Sequence, residues 1–212
     1  MKLRYLIPAV GLVSLASSYG VTGIYGAYVT VDGTKYKSFS TYGGAEPTFN
    51  GADLGSMTVG SSTLILSQGE TLTFADSGHS TFAFALAYRV RLASDAQSTN
   101  PGDYAFISMG DGAPIGGNNE KGEFTGATID LLNGILTPGS PTVYAVDIVH
   151  KVGAWEGGSN FERLANVNEP NPGNTSWAVI DAFTATFTVI PEPTSAALGL
   201  LGVGLLLRRR RF

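Results

Sequence analysis

Along most of the chain the apolar positions recur at every second residue, in short segments bounded by Gly, Pro, Asn and Asp. That is the period of a pleated strand, whose successive side chains leave on opposite faces. The clearest case spans residues 81–92, where Phe82, Phe84, Leu86, Tyr88, Val90 and Leu92 share one face and Ala83, Ala85, Ala87, Arg89 and Arg91 the other. Its alanine-rich second face predicts partial burial on both sides. Residues 177–189 set Phe183, Ala185, Phe187 and Val189 against Thr184, Thr186 and Thr188, the pattern of a half-solvated antiparallel strand. Further strands are predicted over 21–31, 36–41, 56–60, 63–66, 70–75, 104–108, 123–132 and 142–152.

Turn chemistry separates these segments. Asp32-Gly33 is a strong two-residue hairpin signal, Gln68-Gly69 a weaker one, and Asn133-Gly134 closes another strand. Residues 110–122 and 153–176 read as surface loops, the second long enough to suggest a functional role and carrying Trp155, Glu156, Phe161, Glu162 and Arg163. Many short strands without helical stripes predict an all-β fold, an antiparallel two-layer β-sandwich of jelly-roll-like type.

The two ends break the pattern. Residues 1–20 have a basic start at Lys2 and Arg4, an apolar run over 5–15 and a small-residue exit at Ala16-Ser17-Ser18, the layout of a secretory signal helix. The exported domain then covers 21–189. Residues 190–212 hold Pro191-Glu192-Pro193, an uncharged apolar stretch over 194–207, and Arg208, Arg209, Arg210 and Arg211 before Phe212. As a helix that stretch would be about 21 Å long, short of the roughly 30 Å hydrocarbon core, so spanning requires its flanks or local thinning of the bilayer. The four arginines would hold the C-terminus in the cytoplasm as a stop-transfer element.

A Pro-Glu-Pro tripeptide, a single short hydrophobic helix and a terminal arginine cluster resemble the PEP-CTERM sorting signal. The resemblance covers residues 189–212 and implies transient handling by an exosortase, a membrane-embedded cysteine transpeptidase that processes the tail. Pro191, Glu192 and Pro193 would then be its recognition residues. The resemblance also implies an inner-membrane precursor, followed by a place on the bacterial cell surface or in an exopolysaccharide or biofilm matrix.

Composition narrows the chemistry. Among 212 residues there is no cysteine, which excludes disulfides, thiolate catalysis and Cys-based metal sites, and two histidines, His79 and His150, are too few for a His-rich centre. Six of the thirteen basic residues sit at the two ends, so residues 19–190 carry seven basic and sixteen acidic residues, a net of −9. That sign disfavours nucleic-acid binding. No nucleophile elbow, phosphate loop, metalloprotease helix or dinucleotide fingerprint is present, and no catalytic residue, cofactor or metal site is assigned. A carboxylate pair such as Glu156 with Glu162 or Asp181 could serve a glycoside hydrolase, but an acidic domain makes such pairs common. Asp111, Asn118, Asn119 and Glu120 lack the alternating spacing of a calcium loop and read as a solvated turn.

The expected function is a non-enzymatic surface or matrix protein. A carbohydrate-binding module is the alternative: Trp155 with Phe161 would form a platform for a sugar ring, and Arg163, Glu156 or Glu162 its hydrogen-bonding rim. The blander expectation places Trp155 as a plug at the sandwich end and Trp177 in the core. His79 is expected in a turn, and His150 exposed at the polar end of a strand.

Overall fold

A computed structural model describes residues 22–40, 44–76, 79–156, 158–165 and 181–192 of the chain. The two terminal helices expected from the sequence lie outside these residues. Among the described residues there are eleven strands and one 3-10 turn, at Pro101–Asp103. The strands are β1 (Thr22–Val31), β2 (Thr34–Ser40), β3 (Asp53–Thr58), β4 (Ile65–Ala75), β5 (Ser80–Leu92), β6 (Ala105–Gly110), β7 (Ala113–Gly116), β8 (Asn119–Asp130), β9 (Thr142–Glu156), β10 (Ser159–Ala165) and β11 (Phe183–Ile190).

They form two open sheets. The first runs β2-β1-β4-β8-β7 and the second β3-β11-β9-β5-β6, with β10 pairing β9 beyond the first residue of β11. One continuous core joins them: Ile24, Val29 and Leu66 of the first sheet meet Phe84, Leu86, Val146, Ile148, Phe183 and Phe187 of the second. The all-β expectation therefore holds, with the inward parity of Phe183, Ala185, Phe187 and Val189 as the sequence pattern requires. Pairing is antiparallel except that β3 lies parallel to β11, which makes the second sheet mixed and corrects the purely antiparallel expectation.

Local chemistry explains the hits and the misses. The β1–β2 hairpin turns on Asp32 and Gly33, whose φ angles of 46° and 74° are the left-handed pair that a two-residue turn needs. Asp32 adds a cap, its Oδ1 accepting the Ile65 N–H at 2.8 Å. Gln68-Gly69, by contrast, is no turn: β4 runs straight through it, with Gly69 opposite Val29 and Phe124. The glycine is there for space, since a methyl group at Gly69 would collide with the Phe124 ring and stand 3.0 Å from Met109 Cε. The same device sets the sheet separation at Gly122, where an added methyl would fall inside the Phe84 side chain.

Two expected loops contain strands. Residues 110–122 hold β7 and the start of β8, and residues 153–176 hold the end of β9 and β10. Their glycines and polar residues masked the alternation. Phe82 is a further correction. Register shifts between Phe82 and Ala85, with Ala83 at a φ of 48°, so Phe82 turns away from the core and lies opposite Gly153 on the outer face. A period-two reading cannot see a bulge of this kind.

Candidate functional site

Strand β11 places the first two residues of the Pro-Glu-Pro motif. It lies between β3 and β9, and Ile190 is its last residue, so Pro191 follows the folded body with no spacer. Glu192 is exposed, and its Oε1 lies over the turn after β3, so near that a methyl group on Gly60 would stand 3.0 Å from it. Pro193, Arg208, Arg209, Arg210 and Arg211 lie outside the described residues.

The proposed sugar contacts fall on two faces. Trp155 pairs with Ser80 and Asn160, is 41% exposed and belongs to the outer face of the second sheet. Phe161 and Arg163 take the alternate register, opposite the buried Ala154 and Val152. Arg163 is buried, donates to Thr22 Oγ1 at 3.3 Å and sits 5.6 Å from the Phe161 ring centroid. The sheet thus joins Phe161 with Arg163 and separates Arg163 from Trp155. Nor does Trp155 plug the sandwich end; Trp177 lies outside the described residues.

The outer face carries a different grouping. A depression of about 340 Å³ is lined by Phe82, Ala83, Ala85, Lys151, Gly153, Asn160, Phe161 and Glu162. Gly153 makes room for Phe82, since a methyl group there would stand 2.7 Å from the ring. Lys151 pairs with Glu162 and holds its Nζ 5.8 Å from the Phe106 centroid. Phe106, 46% exposed, sits opposite Ala87, which is itself opposite Val149. Counted along β9, the aromatic side chains occur at the levels of Val149, Gly153 and Trp155, a row about 20 Å long at roughly 3.3 Å per residue. The rings are separated by a neutralised charge pair and an amide.

Farther along the same outer face, Asp147 is fully buried and accepts Arg91 Nε at 2.6 Å and Nη2 at 3.0 Å. It also accepts Thr184 Oγ1 at 2.7 Å. The Asp147 hydrogen bond raises the Arg91 pKa. Residues 93–104 strap this half of the face: Gln97 takes the Ala182 N–H at 2.9 Å and donates to the Ala182 carbonyl at 3.1 Å, the two bonds a neighbouring strand would make. Tyr104 donates to the Ser98 carbonyl at 3.0 Å and packs with Ala87, Val149, Leu164 and Ala182. Burial, reinforced by Asp147, pushes the Tyr104 pKa up to about 12.

His150 is not exposed. It lies fully buried between the sheets, its Nδ1 2.9 Å from Thr71 Oγ1 and its Nε2 3.2 Å from Ser38 Oγ. Burial lowers its pKa to about 3, so the ring is neutral at ordinary pH. The sequence held the signal: His150 shares parity with Val146, Ile148 and Val152, all inward. His79 does close a turn, its N–H bonding the Asp76 carbonyl at 3.0 Å.

Two of the residues weighed for calcium are tied to β5: Asp111 Oδ1 accepts the Ala83 N–H at 3.3 Å and Glu120 Oε2 accepts Thr81 Oγ1 at 2.5 Å. Among the described residues no group of three or more His, Asp or Glu side chains is arranged to hold a metal ion. Of the carboxylates weighed for hydrolysis, Glu162 is engaged with Lys151, Asp181 precedes β11, and the Glu156 side chain lies outside what is described. No protein-family model matches the chain, and no curated protein matches it.

Proposed function

We propose that this chain is an exported, non-enzymatic surface or matrix protein: a β-sandwich carried out by an N-terminal signal and anchored as a precursor by its C-terminal tail. An exosortase then processes that tail at Pro191-Glu192-Pro193. The observation that carries the reading is the junction itself. A folded strand ends at Ile190, the exposed Glu192 stands at the body's end, and the sequence beyond it continues into an uncharged run and four arginines. The chain's winding, with five passages between the two sheets among the described residues, supports a jelly-roll-like classification of the body.

The test is the fate of two variants in the producing bacterium. Replacing Pro191, Glu192 and Pro193 by alanine is expected to leave an unprocessed precursor, and replacing Arg208, Arg209, Arg210 and Arg211 by alanine to lose retention before processing. Unchanged C-termini and unchanged location for both variants would overturn the reading.

A second reading, a carbohydrate-binding module, is favoured by the aromatic row of Phe106, Phe82 and Trp155 on the outer face. Ring faces interrupted by hydrogen-bonding side chains suit a sugar polymer, whose apolar faces alternate with hydroxyls. They suit a protein partner less, because a protein interface needs a contiguous apolar centre. Retardation of the wild-type chain in gels containing the producer's exopolysaccharide, lost in Trp155→Ala, supports it; equal mobility of the two refutes it.

A further inference from the structure

Four of the seven large apolar side chains left exposed among the described residues gather at one end. Leu92 (39% exposed), Val143 (47%) and Ile190 (37%) lie on the adjoining strands β5, β9 and β11, and Leu136 (83%) lies on the connection from β8 to β9. Register places the first three at the same end of the sheet, Leu92 with the inward parity of Tyr144, and Val143 and Ile190 with the outward parity of Thr188. Leu92 is opposite Tyr144, Ala93 N–H bonds the Val143 carbonyl at 3.0 Å, Val143 is opposite Thr188, and Ile190 is opposite Thr58. Strands lie about 4.8 Å apart, so these three residues span a strip of the sheet's rim on the order of 10 Å wide, lined from both faces of the sheet.

It is from this end that the chain leaves for its tail. Four residue steps separate Ile190 from Thr194, where the uncharged run begins, and an extended chain covers at most about 3.3–3.6 Å per step. The strip can therefore stand no more than about 14 Å from the start of the run. The polar layer of a bilayer occupies roughly 5–7 Å on each side. A tail seated in the membrane thus holds this end against the lipid surface.

We infer that the Leu92, Leu136, Val143 and Ile190 end of the sandwich is a membrane-facing seat that rests on the lipid headgroup layer while the precursor is anchored. The inference rests on the anchored-precursor reading above. The charged groups at this end make the contact shallow. Asp32 and Asp130 spend their carboxylates on backbone N–H groups of Ile65, Leu64 and Leu132, and Arg91 is held by Asp147, while Asp95 and Glu192 keep the contact at the headgroup level. The seat stands the domain upright. Trp155, at the other end of β9, is thereby held away from the membrane, and Thr22 enters at that far end opposite Ala75.

The absence of cysteine makes the test direct. Full-length chains carrying Leu136→Cys, Ser159→Cys or Leu205→Cys are spin-labelled and reconstituted into phosphatidylethanolamine–phosphatidylglycerol vesicles. Accessibility to oxygen and to a water-soluble nickel complex is then read for each. The expected result is a rise in oxygen accessibility and a loss of nickel accessibility at 136, smaller than at 205, with the label at 159 fully aqueous. A label at 136 as aqueous as that at 159, while 205 is buried in lipid, overturns the seat alone. A label at 205 that stays in water overturns the anchored precursor and the seat with it. Both Leu136 and Ser159 are exposed, so their labels leave the core untouched.

Discussion

The outer face of the second sheet shares β9 and β5 along its length, with β11 beside β9 in one half and β10 in the other, and its two halves are finished differently. Toward the start of β9, residues 93–104 cover it, and under that strap a bidentate Arg91–Asp147 pair, Thr184 and the Gln97 amide are mutually satisfied. Toward the end of β9 nothing comparable among the described residues is laid over it, and Phe106 and Trp155 remain 46% and 41% exposed around the Lys151–Glu162 pair. The comparison teaches that a strand's outward residues do not decide their own environment. A buried carboxylate is tolerated only where a loop and its neighbours supply every partner, whereas exposed rings are tolerated where a ligand surface is useful.

Breaking the strapped half is expected to cost most. Asp147→Ala leaves the Arg91 guanidinium, 8% exposed at its side chain, without its carboxylate, and a loss of about 3–5 kcal/mol in urea unfolding is predicted. Arg91→Met combined with Asp147→Leu is predicted to recover much of that loss, because a buried pair replaced by apolar groups leaves no orphaned charge.

Next comes the pH response of the inner face beneath. His150 has a folded pKa of about 3 against an ordinary 6.5. Above pH 6.5 both folded and unfolded chains keep the ring neutral, and no penalty arises. Below it the unfolded chain takes up a proton the folded one refuses, so stability falls as pH drops from 6.5 toward about 3. The slope is up to about 1.4 kcal/mol per pH unit, to be read as the difference between the native chain and His150→Gln across pH 7 to 5, above most carboxylate titration.

The open half responds less in stability and more in recognition. Gly153→Ala forces a methyl group to within 2.7 Å of the Phe82 ring, and a cost of about 1–3 kcal/mol is predicted together with weaker polysaccharide retention, as Phe82 is displaced. Trp155→Ala is expected to change stability by no more than about 0.5 kcal/mol, since the ring contributes little to the core, while abolishing retention in the polysaccharide gel. A large stability loss for Trp155→Ala would mean that the two halves are less different than their exposure implies.

The sequence announced these halves unequally. Alternation over 84–90 and 183–189 gives the inward sets of β5 and β11, and Asp32-Gly33 a hairpin, because strict period and turn chemistry are local. The β5 bulge at Ala83, the parallel β3 and the strand through Gly69 were hidden, since each depends on a distant partner: Gly153, β11 and Phe124 respectively. The candidate sugar residues fared as their spacing dictates. Trp155, Phe161 and Arg163 are close in sequence, but a hairpin sends alternate positions to opposite faces, and the companions of Trp155, Phe82 and Phe106, come from β5 and β6. His150 is legible from its parity with Val146, Ile148 and Val152, although its place at the polar end of a strand predicts exposure.

The measurement that bears most directly on the account is the intact mass and C-terminal sequence of the wild-type protein recovered from the producer's membrane and extracellular fractions. The account predicts an extracellular form that ends within residues 191–194, lacking the apolar run and the four arginines, beside a minor full-length form in the membrane. A full-length chain confined to the inner membrane would contradict it, and would make the tail a permanent anchor.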